Sequence, residues 1–162
     1  MEITAIDQEV NDYDWFAVDN EGRIGYFTSE GGILPHSVAI DAEELQSLVA
    51  YFDSSTIEEN NFNQSPFLLF PKGITTELQR ENFIRYYAQY SKRGLYSFSR
   101  ILQGSHGKEI DFLYRIITVP AKPLLVSELP FEIQDIISRT RYTTSFSSSV
   151  VVNLFQLQGF TY

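Results

Sequence analysis

The 162-residue chain has no cysteine, one methionine, one tryptophan and only two histidines. Without cysteine there is no disulfide framework, no thiolate zinc site and no cysteine nucleophile, a composition that fits a reducing cytoplasm. Long hydrophobic runs are missing as well. The most apolar stretches, residues 67–70 and 150–152, fall far short of the roughly 20 residues that span a bilayer. Positive charge is scarce at the start: Arg23 is the only Lys or Arg in residues 1–64, against 14 Asp and Glu. The basic start of a secretory signal is therefore absent, and a cytoplasmic, non-membrane protein is expected.

Catalytic signatures are missing too. No Gly-x-x-x-x-Gly-Lys-Ser/Thr and no Gly-x-Gly-x-x-Gly occurs, which leaves nucleotide binding through those loops unsupported. His36 and His106 lie in predicted loops, with no metal-ligand spacing toward Asp41 or Asp111. Gly104-Ser105-His106-Gly107 is one residue too short for a nucleophile elbow, and an adjacent Ser and His do not easily form the activating hydrogen bond. A hairpin turn is the plainer reading. Asp12-x-Asp14 and Asp19-Asn20-Glu21-Gly22 miss the register of a calcium loop. No cofactor, metal or catalytic residue is expected, and enzyme activity is not supported by any motif.

What is abundant is aromatic: 13 Phe and 10 Tyr in a chain that is 43% hydrophobic. This is enough to bury a sizeable core within one domain, residues 1–162. Charge is divided unevenly, with net −13 over residues 1–64 and net +4 over 65–162. An acidic half repels phosphate backbones, so nucleic-acid binding is not expected. It attracts basic proteins and speeds their docking. Acidic residues also simply solubilise a Phe- and Tyr-rich domain.

Local patterns predict the elements. Residues 13–18 and 23–28 are aromatic and β-prone, and Asp19-Asn20-Glu21-Gly22 between them is a turn cluster, so a hairpin is expected with Gly22 at positive φ. Strand periodicity sets Asp14, Phe16 and Val18 on one face and Trp15, Ala17 and Asp19 on the other, with Trp15 buried. Gly25 inside a strand marks a bulge or a close-approaching backbone. Asp41 with Glu44 has capping-box spacing and opens a helix over about 41–52. Residues 53–65 read as a loop. Thr76 with Gln79 opens the longest helix, 77–92, whose Phe83, Tyr87 and Tyr90 face the core while Tyr86 points outward. A second hairpin spans 95–102 and 110–119 around a turn at Gln103–Lys108. Pro130 starts a short helix burying Phe131, Ile133, Ile136 and Ile137, and residues 145–157 close the chain as a strand. The order β-β-α-α-β-β-α-β predicts an α+β fold: an antiparallel sheet of two hairpins and a C-terminal strand, covered by two to three helices.

The opening Asp14-Trp15-Phe16-Ala17-Val18-Asp19-Asn20-Glu21-Gly22-Arg23-Ile24-Gly25-Tyr26-Phe27 resembles a family of small uncharacterised bacterial proteins with the pattern DWFAxDxxGxIGxF, followed by a Gly-rich loop and a Pro. Thr28-Ser29-Glu30-Gly31-Gly32 and Pro35 continue the resemblance, as do Tyr114-Arg115-Ile116, Pro120, Pro123-Leu124 and Leu129-Pro130 more weakly. The resemblance implies no activity. In size and acidity the chain is similar to immunity proteins that neutralise toxins, in general character only.

Two functional expectations follow. One is an acidic, immunity-like protein-binding module that docks a basic partner through Asp14, Asp19, Glu21, Glu30, Glu43 and neighbouring acids, with Tyr86 as an outward aromatic. The other is a small-molecule binder or unrecognised hydrolase, its pocket lined by Trp15, Tyr26 and Tyr96 with Asp14, Asp19 or Glu30 as acid or base. Carboxylates spread over one exposed face favour docking; carboxylates converging in a cleft favour the pocket.

Overall fold

The computed structural model describes residues 1–101 and 112–160. The expected turn at Gln103–Lys108 lies outside the described residues. The fold is α+β around one mixed sheet. The elements are α1 (Ala5–Val10), β1 (Asp14–Val18), β2 (Ile24–Thr28), α2 (His36–Ala39), α3 (Ala42–Asp53), β3 (Asn63–Gln64), α4 (Glu77–Ser91), β4 (Tyr96–Arg100), β5 (Leu113–Val119), α5 (Phe131–Ile137), β6 (Arg141–Tyr142), β7 (Val151–Asn153) and β8 (Leu157–Gln158). The strand order is β3-β5-β4-β2-β1-β6-β8, with β7 also paired to β5.

The first hairpin forms in the register its turn dictates, Asp14 opposite Thr28 and Val18 opposite Ile24. Gly22 adopts φ +81°, where a Cβ would be strained. Asp19 fastens the turn: its carboxylate accepts from the N–H groups of Glu21 at 2.9 Å, Arg23 at 2.8 Å and Phe146 at 2.9 Å. The hairpin sits in mid-sheet and is buried on both faces. Trp15, Ala17 and Phe27 join one core with Phe98, Tyr114 and Phe146. Phe16, Val18, Ile24 and Tyr26 join the other, beneath Leu48, Phe52, Tyr87 and Tyr90 of the helices. Trp15 stacks on Phe27 at 4.1 Å and is 0% exposed. Gly25 lies against two aromatic rings: a Cβ there would lie 2.8 Å from Phe146 Cζ and 2.8 Å from Phe27 Cε2. The close neighbours are thus aromatic side chains, not the backbone or bulge that the sequence suggested.

Two helices start at their expected N-caps, but the capping box expected at α3 does not close, because the Glu44 carboxylate pairs with Arg139 instead of reaching back. Asp41 accepts from the N–H groups of Glu43 and Glu44 and starts α3; Thr76 and Gln79 cap α4 reciprocally. A buried polar seam then fixes α4 to the sheet. Ser91 and Thr118 hydroxyls meet at 2.7 Å, and Ser97 Oγ donates to the Tyr87 carbonyl at 2.9 Å.

The layout departs from expectation in several respects, among them β3 inside the expected 53–65 loop and the unexpected short elements α2 and β6. The sheet is mixed, because β2 pairs with β4 and β1 with β6 in parallel. A short helix, α1, precedes the hairpin, capped by Thr4 and Asp7. The expected final strand breaks into 3₁₀ turns at Phe146–Ser148 and Leu154–Gln156 around β7, before β8. In α5, Ile137 is buried but Phe131 is 88% exposed, since Pro130 places it on the first turn, pointing to solvent.

Gly25→Ala is expected to destabilise the protein by about 1–3 kcal/mol, because the ring of Phe146 has no room to retreat in a close-packed core. Urea unfolding checks it; a midpoint equal to wild type would contradict this packing.

Candidate functional site

Four carboxylates line an open groove of about 820 Å³ between the start of β1 and helix α3. Asp12 and Asp14 come from the entry to the hairpin, Glu43 and Asp53 from the two ends of α3, with Tyr13 and Tyr86 as aromatic walls. The α3 contribution follows from helical spacing: Glu43, Gln46, Ala50 and Asp53 recur every three or four residues and share one stripe.

Asp14 lies at the floor. It is the strand residue that faces the helices just where β1 leaves the core, so it is partly buried. Its Oδ1 accepts from the Tyr26 hydroxyl at 2.8 Å, and the Tyr90 hydroxyl lies 3.4 Å from both Asp14 Oδ2 and Asp53 Oδ1. The Tyr26 and Tyr86 hydroxyls are 3.2 Å apart, and the Tyr26 and Tyr90 rings stack at 3.5 Å. Tyr90 alone thus stands between Asp14 and Asp53, with the Tyr26 ring stacked against it. Burial holds the Asp14 carboxyl above the ordinary carboxylate range, outweighing the Tyr26 hydrogen bond that pulls it down, and Asp12 adds to the rise. Burial and the adjacent Asp14 charge push the Tyr26 and Tyr90 phenols far up, so both keep their protons.

The groove's charges are weakly compensated. Glu43 receives the Met1 amine at 2.6 Å, and the Asp12 carboxylate accepts the Glu30 N–H at 2.7 Å. Asp12, Asp14 and Asp53 form no ion pair among the described residues, and no Lys or Arg lines the groove.

The other expected site residues are elsewhere. Asp19 is 2% exposed and serves the turn, so it presents no docking charge. Glu21 is exposed but sits past the far end of β1 from Asp14 and pairs with Arg23. Glu30, at φ +46°, lies beyond β2; burial raises its carboxyl above the usual range, and Asp12 reinforces this while Arg100 opposes it. Glu44, another acid of the expected face, pairs with Arg139. The acidic residues therefore do not form one exposed face. The pocket expected from Trp15, Tyr26 and Tyr96 does not form either, because the sheet separates Tyr26 from the other two. Of the expected residues, Asp14, Glu43 and Tyr86 line the groove and Tyr26 supports it from below. Asp53 was missed, having been read as the start of a loop.

No group of three or more metal-ligating side chains occurs among the described residues. No described helix is long and apolar enough to cross a membrane. Comparison with family models, curated proteins and solved structures found no match to this chain.

Two outcomes check these placements. Asp19→Ala should cost about 2–4 kcal/mol, since it leaves three N–H groups without their charged acceptor, whereas Glu21→Ala should change stability by about 0.5 kcal/mol or less. Equal effects in chemical unfolding would contradict the division. The second concerns pH. A native carboxyl with a raised pKa binds more protons than the unfolded chain over the range just above the ordinary carboxylate value. Its contribution is complete below that value and is lost as pH rises through the native one. Unfolding free energies measured against pH should therefore fall less steeply there in Asp14→Asn than in wild type; identical slopes would contradict a buried Asp14.

Proposed function

We propose that the protein is a binding module that docks a basic partner by taking one of its arginine or lysine side chains into the acidic groove. The observation that carries this reading is one groove lined by Asp12, Asp14, Glu43 and Asp53 and by two tyrosines, with Asp12, Asp14 and Asp53 free of any ion pair and no Lys or Arg among the described lining residues. Carboxylates in a concave, partly dehydrated setting attract a cation more strongly than on an open surface. A guanidinium fits such a site by donating in pairs to carboxylates while stacking on the faces of Tyr13 and Tyr86. The reading replaces a docking face spread over the acidic half with one localised site. An immunity-like role in the cytoplasm, neutralising a basic toxin by filling this groove, is its most specific form, in keeping with the chain's size and acidity.

A second reading draws on the same groove. A carboxyl with a raised pKa at Asp14, bridged through Tyr90 to Asp53, is the arrangement in which one acid donates and another accepts a proton. It requires turnover of a substrate, lost in Asp14→Asn with binding retained.

The binding reading is tested by calorimetric titration with a capped tetra-arginine peptide. Affinity should fall steeply between about 50 and 500 mM salt, because exposed charges are screened over about 8–10 Å near physiological ionic strength and less above it. It should also strengthen as pH rises through the raised pKa of Asp14. Asp53→Asn and Asp12→Asn should each weaken binding about fivefold or more, and Glu21→Gln should leave it unchanged. Salt-independent binding, or an equal loss from Glu21→Gln, would overturn the proposal.

A further inference from the structure

A second concavity, of about 740 Å³, opens beyond the N-terminal half of α4, where the 65–73 loop meets the ends of β4 and β5. Its character is opposite to that of the acidic groove. The walls are apolar, with Phe70, Phe83 and Ile117, while Lys72, Arg100 and Arg115 supply positive charge, Arg100 donating one N–H to the Glu30 carbonyl at 3.1 Å; no Asp or Glu is among the described residues lining it. Arg80, outside the lining, holds its guanidinium 5.2 Å from the centre of the Phe70 ring.

Ser99 also lines this space and is 4% exposed, yet its Oγ makes no well-formed hydrogen bond among the described residues. The Tyr87 hydroxyl pairs with Thr28 Oγ1 at 3.0 Å and also interacts with Ser99. A buried hydroxyl without a partner costs about 1–3 kcal/mol, so such groups normally meet a ligand or water. Ser99 stands opposite Arg115 in the β4–β5 ladder, and opposite residues in a ladder emerge on the same face. Arg115 spends one N–H on the Phe67 carbonyl at 3.3 Å, and no ion pair among the described residues occupies the guanidinium or the Lys72 ammonium.

The geometry points to a binding site for a small organic carboxylate with an apolar body. Its carboxylate accepts from the Arg115 guanidinium and the Ser99 hydroxyl, and its body packs against Phe83, Phe70 and Ile117. The donor set explains the class. Arg presents a planar fork matched to a carboxylate, the hydroxyl supplies the further donor, and the volume and apolar walls are those of a small-molecule site, not of a surface that tracks a phosphate backbone. The site shares no residue with the acidic groove.

The test is a titration with 4-phenylbutyrate by ligand-observed NMR and calorimetry, beside 4-phenylbutanol, which has the same body and no charge. Saturable binding of the acid is expected, with the alcohol about tenfold or more weaker. Arg115→Gln should weaken the acid about tenfold and Lys72→Gln severalfold. Ser99→Ala should weaken it severalfold while the variant stays folded. Lys72 is exposed, so its replacement keeps the test valid if Arg115→Gln fails to fold. The proposal is overturned if the acid shows no saturable binding, if acid and alcohol bind equally, or if folded Arg115→Gln and Lys72→Gln both bind the acid as wild type does.

Discussion

The constraint on which the rest depends is the burial of the β1–β2 hairpin on both faces. Because strand side chains alternate, each residue of β1 is assigned to one of two cores, and a shift by one position would exchange the assignments. Trp15 and Ala17 go to the core with Phe27 and Phe146, Phe16 and Val18 to the core beneath the helices. The same alternation sends Asp14 to the helix side, at the point where β1 emerges from the core. There it meets Tyr26 from the paired strand and Tyr90 from α4. The turn beyond β1 is held from inside by Asp19, so one register sets both the packing and the floor of the groove.

The acidic half of the chain is consequently not an acidic face. Asp19 works in the interior; Glu21, Glu44 and Glu59 are answered by Arg23, Arg139 and Lys92. What remains concentrated is the set around Asp14, where α3 runs past the hairpin entry and adds Glu43 and Asp53. Charge division along the sequence thus becomes a local contrast in space, an acidic groove beside α3 and a cationic, apolar cavity beyond the N-terminal half of α4.

Local chemistry was readable. The hairpin, its Gly22 turn, the caps at Asp41 and Thr76 and the burial of Trp15 follow from short-range rules that tertiary packing reinforces. Helix α1 was available to the same rule, since Thr4 and Asp7 have capping-box spacing, but its lack of buried residues removes the apolar pattern. The parallel pairings were not readable: β2 and β4 are brought together by α3 and α4 packing on one face, a long-range outcome with no local signature. The stretch 145–157 misled because its β-branched and aromatic residues are buried through turns. Asp53 could have been found by extending the stripe Glu43, Gln46, Ala50 one more step. Its partnership with Asp14 through Tyr90 could not, because it joins residues from three separate elements.

The central claim, that the groove around Asp14 receives a cation, is tested most directly by carboxyl carbon-13 NMR of the Asp and Glu side chains. In the free protein Asp14 should titrate above the ordinary carboxylate range, as its burial requires. On addition of a capped arginine peptide that titration should move down, with shifts confined to Asp12, Asp14, Glu43 and Asp53, because a bound cation favours the ionised form. An Asp14 titration unmoved by the peptide, with shifts scattered over Glu21, Glu58 and Glu132 instead, would contradict the account.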